Sequence, residues 1–210
     1  MKKVVIINCG GNLLSLTRAI NKFESNFLIT SDFKEIREAS HIFLPGVGAF
    51  KKAMNIIKKK NLKNLLKDLD YTKTKLMGIC LGMQMLFDNS EENGMEEGLG
   101  LIQGDVKKIQ LNNEDKKNKL KIPNIGWHEI LINYETEIFN GIKKNFQCYF
   151  VHSYHAKLLE NKKKECLAEI KYGSNTLTSI VKKNNIYGCQ FHPEKSGLDG
   201  LKIIENFLKL

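Results

Sequence analysis

No apolar run in this 210-residue sequence approaches the roughly 20 residues that a membrane-spanning helix needs. The opening "MKKVVIINCGG" has too short an apolar stretch for a secretory leader and runs straight into a folded pattern. It reads as a first strand, and the protein as cytoplasmic. The five cysteines (Cys9, Cys80, Cys148, Cys166, Cys189) are odd in number and scattered, with no CxxC or metal-ligand spacing. That argues against a disulfide framework and a zinc site. Arginine is confined to Arg18 and Arg37, although the net charge is +10. The positive charge is lysine, in runs at Lys58–Lys60, Glu114–Lys121 and Asn161–Glu165 that alternate with Asn and acidic residues. Such runs read as solvated turns and helix faces. Interleaved aromatics, a helix-turn-helix and an RNP-like motif are all missing, so the charge does not point to nucleic acid. Linkers and repeats are missing too, so residues 1–210 are expected to form one domain with a substantial core.

What is present is alternation. Short apolar runs alternate with amphipathic stretches over the first ninety or so residues. "VVIIN" at Val4–Asn8 reads as a buried parallel strand, followed by a helix carrying Leu13, Leu16, Ile20 and Phe23. "NFLIT" is a second strand and "HIFLP", stopped by Pro45-Gly46, a third. Phe50–Leu66 reads as helix in two pieces, "KLMGIC" at Lys75–Cys80 as a fourth strand, and "LGMQMLFDN" as the helix after it. From Gly104 the pattern becomes strands joined by turns: "GDVKKIQL", "WHEILIN", "CYFVHSYHA", "CLAEIKYG", "LTSIVKK" and "IYGCQF". A helix over Leu198–Leu208 closes the chain. The predicted fold is α/β in three layers, a mainly parallel central sheet with helices on both faces and an antiparallel extension.

Two segments carry chemistry. "GICLGMQ" at Gly78–Gln84 places Cys80 between a buried strand and a helix, with Gly78 two before and Gly82 two after. This is G-x-C-x-G, the thiol counterpart of the G-x-S-x-G nucleophile elbow. The sharp turn lifts the side chain out of the sheet, and a helix N-terminus favours an anionic sulfur and offers N–H groups to an oxyanion. "CQFHPEKSG" at Cys189–Gly197 supplies a base at the end of another strand. Pro193 stiffens the turn between His192 and Glu194, so imidazole and carboxylate are held together. In a doubly wound sheet both segments fall at the C-terminal edge, where ligands bind.

With these residues in hand, the chain resembles the class I (triad) glutamine amidotransferases, a flavodoxin-like fold, and among them the glutaminase subunits of imidazole glycerol phosphate synthase. The resemblance rests on "GNLLSL", "PGVGAF", "CLGMQMLF", "SEE", "PNIGW", "YFVHSY" and "QFHPEKSG", which occur in order over nearly the whole chain. It implies Cys80 as nucleophile, His192 as base and acid, and Glu194 as third triad member. It implies a glutamine shelf at Gly46, Val47 and Gly48, with the N–H groups of Val47 and Leu81 on the oxyanion. Gln84, Glu92, Ser153 and Tyr154 are implied to hold the amino-acid end of glutamine. Asn12, Trp127, Tyr149 and Lys195 are implied to face a synthase subunit of the (β/α)8-barrel type, which receives the ammonia in a heterodimer. The resemblance implies neither metal nor organic cofactor. The sequence departs from the family at "NCGGN", where D-Y-G-x-G-N is usual, and at "PNIGWH", where Asn124 and His128 replace His and Asn. Two pathways therefore stay open: histidine biosynthesis, and a paralogous route such as surface-sugar amidination. A reading of another class is a non-catalytic regulator or a peptidase-like cysteine hydrolase on the same scaffold.

Overall fold

A computed structural model gives the architecture and describes residues 2–10 and 13–210. Elements follow in the order β1 (Val4–Ile7), α1 (Leu14–Asn21), β2 (Phe27–Thr30), α2 (Phe33–Arg37), β3 (His41–Gly46), α3 (Phe50–Lys59), α4 (Leu62–Lys67), β4 (Lys75–Cys80) and α5 (Leu81–Met85). The second half contains β5 (Asn89–Ser90), β6 (Glu96–Glu97), β7 (Gly104–Lys108), α6 (Asn113–Lys117), β8 (Asn124–Glu129) and β9 (Leu131–Ile132). It ends with β10 (Gln147–His152), β11 (Tyr154–Leu158), β12 (Cys166–Tyr172), β13 (Asn175–Lys183), β14 (Ile186–Cys189) and α7 (Gly197–Lys209).

The central sheet has the order β2-β1-β3-β4-β14-β13-β12-β9. Strands β2, β1, β3, β4 and β14 pair in parallel, and β13, β12 and β9 continue the sheet antiparallel. The parallel strands are apolar on both faces because both faces are covered. One core packs Val4, Ile6, Phe43 and Met77 against Leu16, Ile20, Ile203 and Phe207 of α1 and α7. The other packs Val5, Ile7, Ile42 and Leu44 against Ile36, Met54, Ile57, Leu66 and Leu86. The expected three-layer architecture is thus what the residues build.

Several local expectations change. β3 runs through Pro45 to Gly46, paired in register with Ile79 and Cys80, so the proline does not end it. The helix after Cys80 stops at Met85, and Asn89–Ser90 is a strand. The amides of Leu99, Leu101 and Ile102 take the carbonyls of Met85 and Leu86, ending the helix where a further turn would need them. "CYFVHSYHA" is two strands broken at Ser153: β10 joins β8 in a two-stranded sheet, and β11 joins a four-stranded sheet β11-β7-β5-β6. "WHEILIN" likewise splits into β8 and β9 around Ile130.

The lysine-rich run at Glu114–Lys121 is not wholly solvated. α6 lies within it, and Asp115 is buried. Asp115 completes a capping box with Asn112 and accepts hydrogen bonds from the Ser174 amide (2.8 Å) and hydroxyl (2.6 Å). One carboxylate thereby caps a helix and closes the β12–β13 turn. Asp115→Ala is expected to lower the melting temperature by several degrees, because three hydrogen bonds lose their shared carboxylate. Differential scanning calorimetry checks this, and an unchanged melting point would refute it.

Candidate active site

Cys80 has φ 53° and ψ −111°. A non-glycine residue rarely occupies that region, and it persists only where surrounding packing over-determines it. The packing here is severe. A Cβ on Gly82 would lie 1.8 Å from the Leu44 carbonyl oxygen, and one on Gly46 would lie 2.8 Å from the Gly82 amide. The first turn of α5 therefore presses directly on the backbone of β3, and the elbow is held from below.

The candidate base comes from the neighbouring strand. β14 pairs with β4 in parallel, Cys189 opposite Ile79, so the turn after β14 rises beside Cys80. His192 Nδ1 and Glu194 Oε1 are 2.8 Å apart, and both side chains are largely buried. Burial acts to lower the His192 pKa, but its interactions with Cys80 and Glu194 outweigh burial and raise it to about 10. The ring therefore holds its proton at neutral pH, as a donor to a leaving group must. The turn is anchored from β10: the His192 amide donates to the Tyr149 carbonyl (3.1 Å), and the Tyr149 amide donates to Ser196 Oγ (2.9 Å).

A cleft of about 320 Å³ opens over the sulfur. Val47, Gly48, Cys80, Leu81, Gln84, Glu92, Ser153, Tyr154 and His192 line it, residues brought together from five separate segments. Gly46 and Glu194 line a smaller cavity of about 20 Å³ on the other side of His192. Glu92 Oε2 accepts the Phe50 amide at 2.7 Å, tying the loop after β3 to the β5–β6 turn. Gln84 Nε2 donates to the Tyr154 carbonyl and to Gln190 Oε1, both at 2.9 Å. Its nitrogen is thus committed within the protein, and Oε1 is the atom left to meet a ligand. Trp127, Tyr149 and Lys195 lie outside the cleft, on or beside the β8–β10 sheet; Asn12 falls outside the described residues.

Sequence reasoning missed Pro123, Val151 and His152 in the cleft wall, and Gln190 beneath it. Gln190 was legible in principle: it stands two residues before His192 at a strand end, so alternation puts it on the same side. Asn124 and His128, noted only as departures, form a polar group in which Asn124 is buried and His128 half-buried. Asn124 Oδ1 lies 2.7 Å from His128 Nε2, and its Nδ2 lies 3.0 Å from His152 Nε2.

A family model described as "Glutamine amidotransferase class-I" matches residues 5–210. The chain belongs to the class I glutamine amidotransferases. It is 39% identical over 206 residues, 98% of this chain and 95% of the other, to "Imidazole glycerol phosphate synthase subunit HisH" of Geobacillus sp. (strain WCH70). It is 41% identical over 210 residues, 100% of this chain and 99% of the other, to the subunit of that name from Lactococcus lactis. Two solved structures share the fold at low identity. One, "glutamine amidotransferase", has a TM-score of 0.72 at 15% identity over 98% of this chain and 97% of the other. The other, PurLQS from Thermotoga maritima, has a TM-score of 0.67 at 17% identity over 99% and 98%. The family catalyses glutamine amide transfer, so this chain is an enzyme of that type.

The wall of this amidotransferase cleft has its own pH limit. His152 Nδ1 lies 2.8 Å from the Tyr154 carbonyl, which can only accept, so Nδ1 carries the proton and Nε2 accepts from Asn124. A second proton on Nε2 would face the Asn124 amide. Burial holds the His152 pKa down at about 4, against the opposing pull of the Tyr154 carbonyl. A group whose folded pKa is depressed contributes stability that is present above its unfolded pKa and lost as pH falls through the folded one. Unfolding free energy from urea titrations is expected to decline as pH falls from 6.5 toward about 4. His152→Gln, which can make the same two hydrogen bonds without titrating, should flatten that decline; an unchanged slope would refute the assignment.

Proposed function

We propose that this chain hydrolyses glutamine to glutamate and ammonia, as the glutaminase subunit of imidazole glycerol phosphate synthase in histidine biosynthesis. The observation that carries the reading is the strained Cys80 elbow, facing the buried His192–Glu194 pair across a cleft sized for one amino acid.

The geometry supports the following steps. The Cys80 sulfur attacks the side-chain carboxamide carbon of glutamine. The oxyanion that forms is met by backbone N–H groups of Leu81, first residue of α5, and of Val47 on the glutamine shelf. His192, held by Glu194, gives its proton to the leaving nitrogen, which departs as ammonia. The thioester is then hydrolysed: His192 takes a proton from water, the hydroxide adds to the acyl carbon, and the sulfur leaves. Gln84 Oε1, Glu92, Ser153 and Tyr154 hold the amino-acid end. The chain acts as one domain and needs no metal or organic cofactor for these steps.

The ammonia passes to a (β/α)8-barrel synthase subunit, in a cytoplasmic heterodimer that makes imidazole glycerol phosphate and AICAR. A face suited to such a partner adjoins the cleft. Trp127 and Tyr149 pair across β8 and β10 with ring centroids 6.1 Å apart, and Ile125 pairs with Val151. Trp127, Ile125 and Leu198 are exposed there, and Lys195 stands beside them. The departures Asn124 and His128 point the other way, into the protein, so they leave this face unaltered. That supports the histidine pathway over a paralogous amidination. A cleft closed by Val47–Gly48 on one side and Ser153–Tyr154 on the other supports glutamine over a peptide.

Cys80→Ala is expected to abolish glutamine-dependent synthesis while leaving synthesis from added ammonium salts, since the acceptor chemistry lies on the partner. Glutamine turnover surviving in Cys80→Ala would remove the nucleophile assignment. Trp127→Ala should weaken association with the barrel subunit by about tenfold or more, as for a large aromatic at an interface centre, with the fold intact. Isothermal titration calorimetry reads this, and unaltered affinity would move the docking face elsewhere.

A further inference from the structure

The hydrogen bonds beneath the cleft have a direction that can be worked out. The Tyr154 carbonyl accepts from both Gln84 Nε2 (2.9 Å) and His152 Nδ1 (2.8 Å). A carbonyl cannot donate, so the atom of Gln84 that meets it is the nitrogen. The second proton of that nitrogen goes to Gln190, 2.9 Å away, so the Gln190 atom there is the oxygen. The Gln190 nitrogen then faces the other way. It lies 3.8 Å from Cys80 Sγ, within reach for an N–H donor to sulfur.

Gln190 is fully buried. A buried carboxamide aimed at the reacting sulfur, with its other end clamped, is a preorganised donor in a low-dielectric site. On the reading of Cys80 as nucleophile, we propose that Gln190 is a further catalytic residue, whose N–H stabilises the anionic sulfur before attack and again when the thioester collapses. Gln84 is a positioning residue for it, because the Tyr154 carbonyl fixes which way it is turned. Gln84 thereby serves two purposes: Nε2 sets the orientation of Gln190, and Oε1 remains for the substrate.

The test uses the full chain and iodoacetamide, with alkylation of the Cys80 peptide followed by mass spectrometry across pH. In Gln190→Met the donor is lost at similar volume. In Gln190→Glu the acceptor for Gln84 is kept, and the sulfur meets a carboxylate instead of an N–H. Alkylation at pH 7 is expected to slow by about tenfold or more in both, with the half-maximal pH moved upward, as loss of a hydrogen bond to a charged group predicts. In the complex with the synthase subunit, kcat should fall by about tenfold while KM for glutamine stays within about twofold. A merely structural role would lower the melting point without moving the pH profile. A measurement on the unmodified protein guards against variants that do not fold. The ¹⁵N side-chain amide resonance of Gln190 should shift with pH and lose that shift in Cys80→Ala. A wild-type alkylation profile in a folded Gln190 variant, or a flat Gln190 resonance, overturns the proposal. If alkylating Cys80 in the wild-type complex leaves glutamine hydrolysis intact, the nucleophile assignment fails instead, so the two failures are distinct.

Discussion

The site depends on one close approach of backbone to backbone. The first turn of α5 rests on the end of β3 so tightly that Gly82 and Gly46 have no room for a methyl group. That contact turns the chain abruptly at Cys80, holds the residue at a positive φ, and aims its sulfur out of the sheet. Sheet pairing puts Gly46 opposite Cys80, so the same contact places the proposed glutamine shelf beside the proposed nucleophile. Hydrogen bonds alone would not hold this geometry, because local strain persists only where packing leaves the chain no alternative.

The parallel edge supplies the rest. β3, β4 and β14 end at one level, so the loop at Val47, the Cys80 elbow and the His192 turn reach the same point from segments far apart in the chain. Part of the chain between β4 and β14 leaves the central sheet. It builds the two-stranded β8–β10 sheet and the four-stranded sheet containing β11, and these close over the edge. The break at Ser153 is where the chain passes from one to the other, which is why Ser153 and Tyr154 line the cleft. β10 is also bonded to the His192 turn through Tyr149. A partner seated on Trp127 and Tyr149, as proposed above, would touch a strand hydrogen-bonded directly to the His192 turn, through the His192 amide and the Ser196 hydroxyl.

Charge is distributed with equal economy. His192 is buried yet protonated, because two acceptors surround it. His152 is buried and neutral, because burial disfavours its charged form. Within one site, environment alone gives two imidazoles opposite protonation states.

The sequence by itself determined the fold class, the elbow and the His192–Glu194 pair. Each of these is a local pattern: apolar runs of strand length, glycines at fixed spacing about a cysteine, and a proline between two polar groups. The proposed shelf, and the residues proposed to hold the amino-acid end, came from resemblance, and the cleft gathers them except Gly46, which lines the smaller cavity. Tertiary structure alone decided the polar chain running from His128 and Asn124 through His152, Tyr154 and Gln84 to Gln190. Its members come from β8, β10, β11, α5 and the end of β14, so no spacing in the sequence relates them. It likewise decided that Asp115, in a lysine-rich run, is buried, because its partner Ser174 lies far along the chain. Periodicity reports which face of an element is apolar. It does not report which polar group from elsewhere will satisfy a buried donor, since that choice is made only when the elements pack.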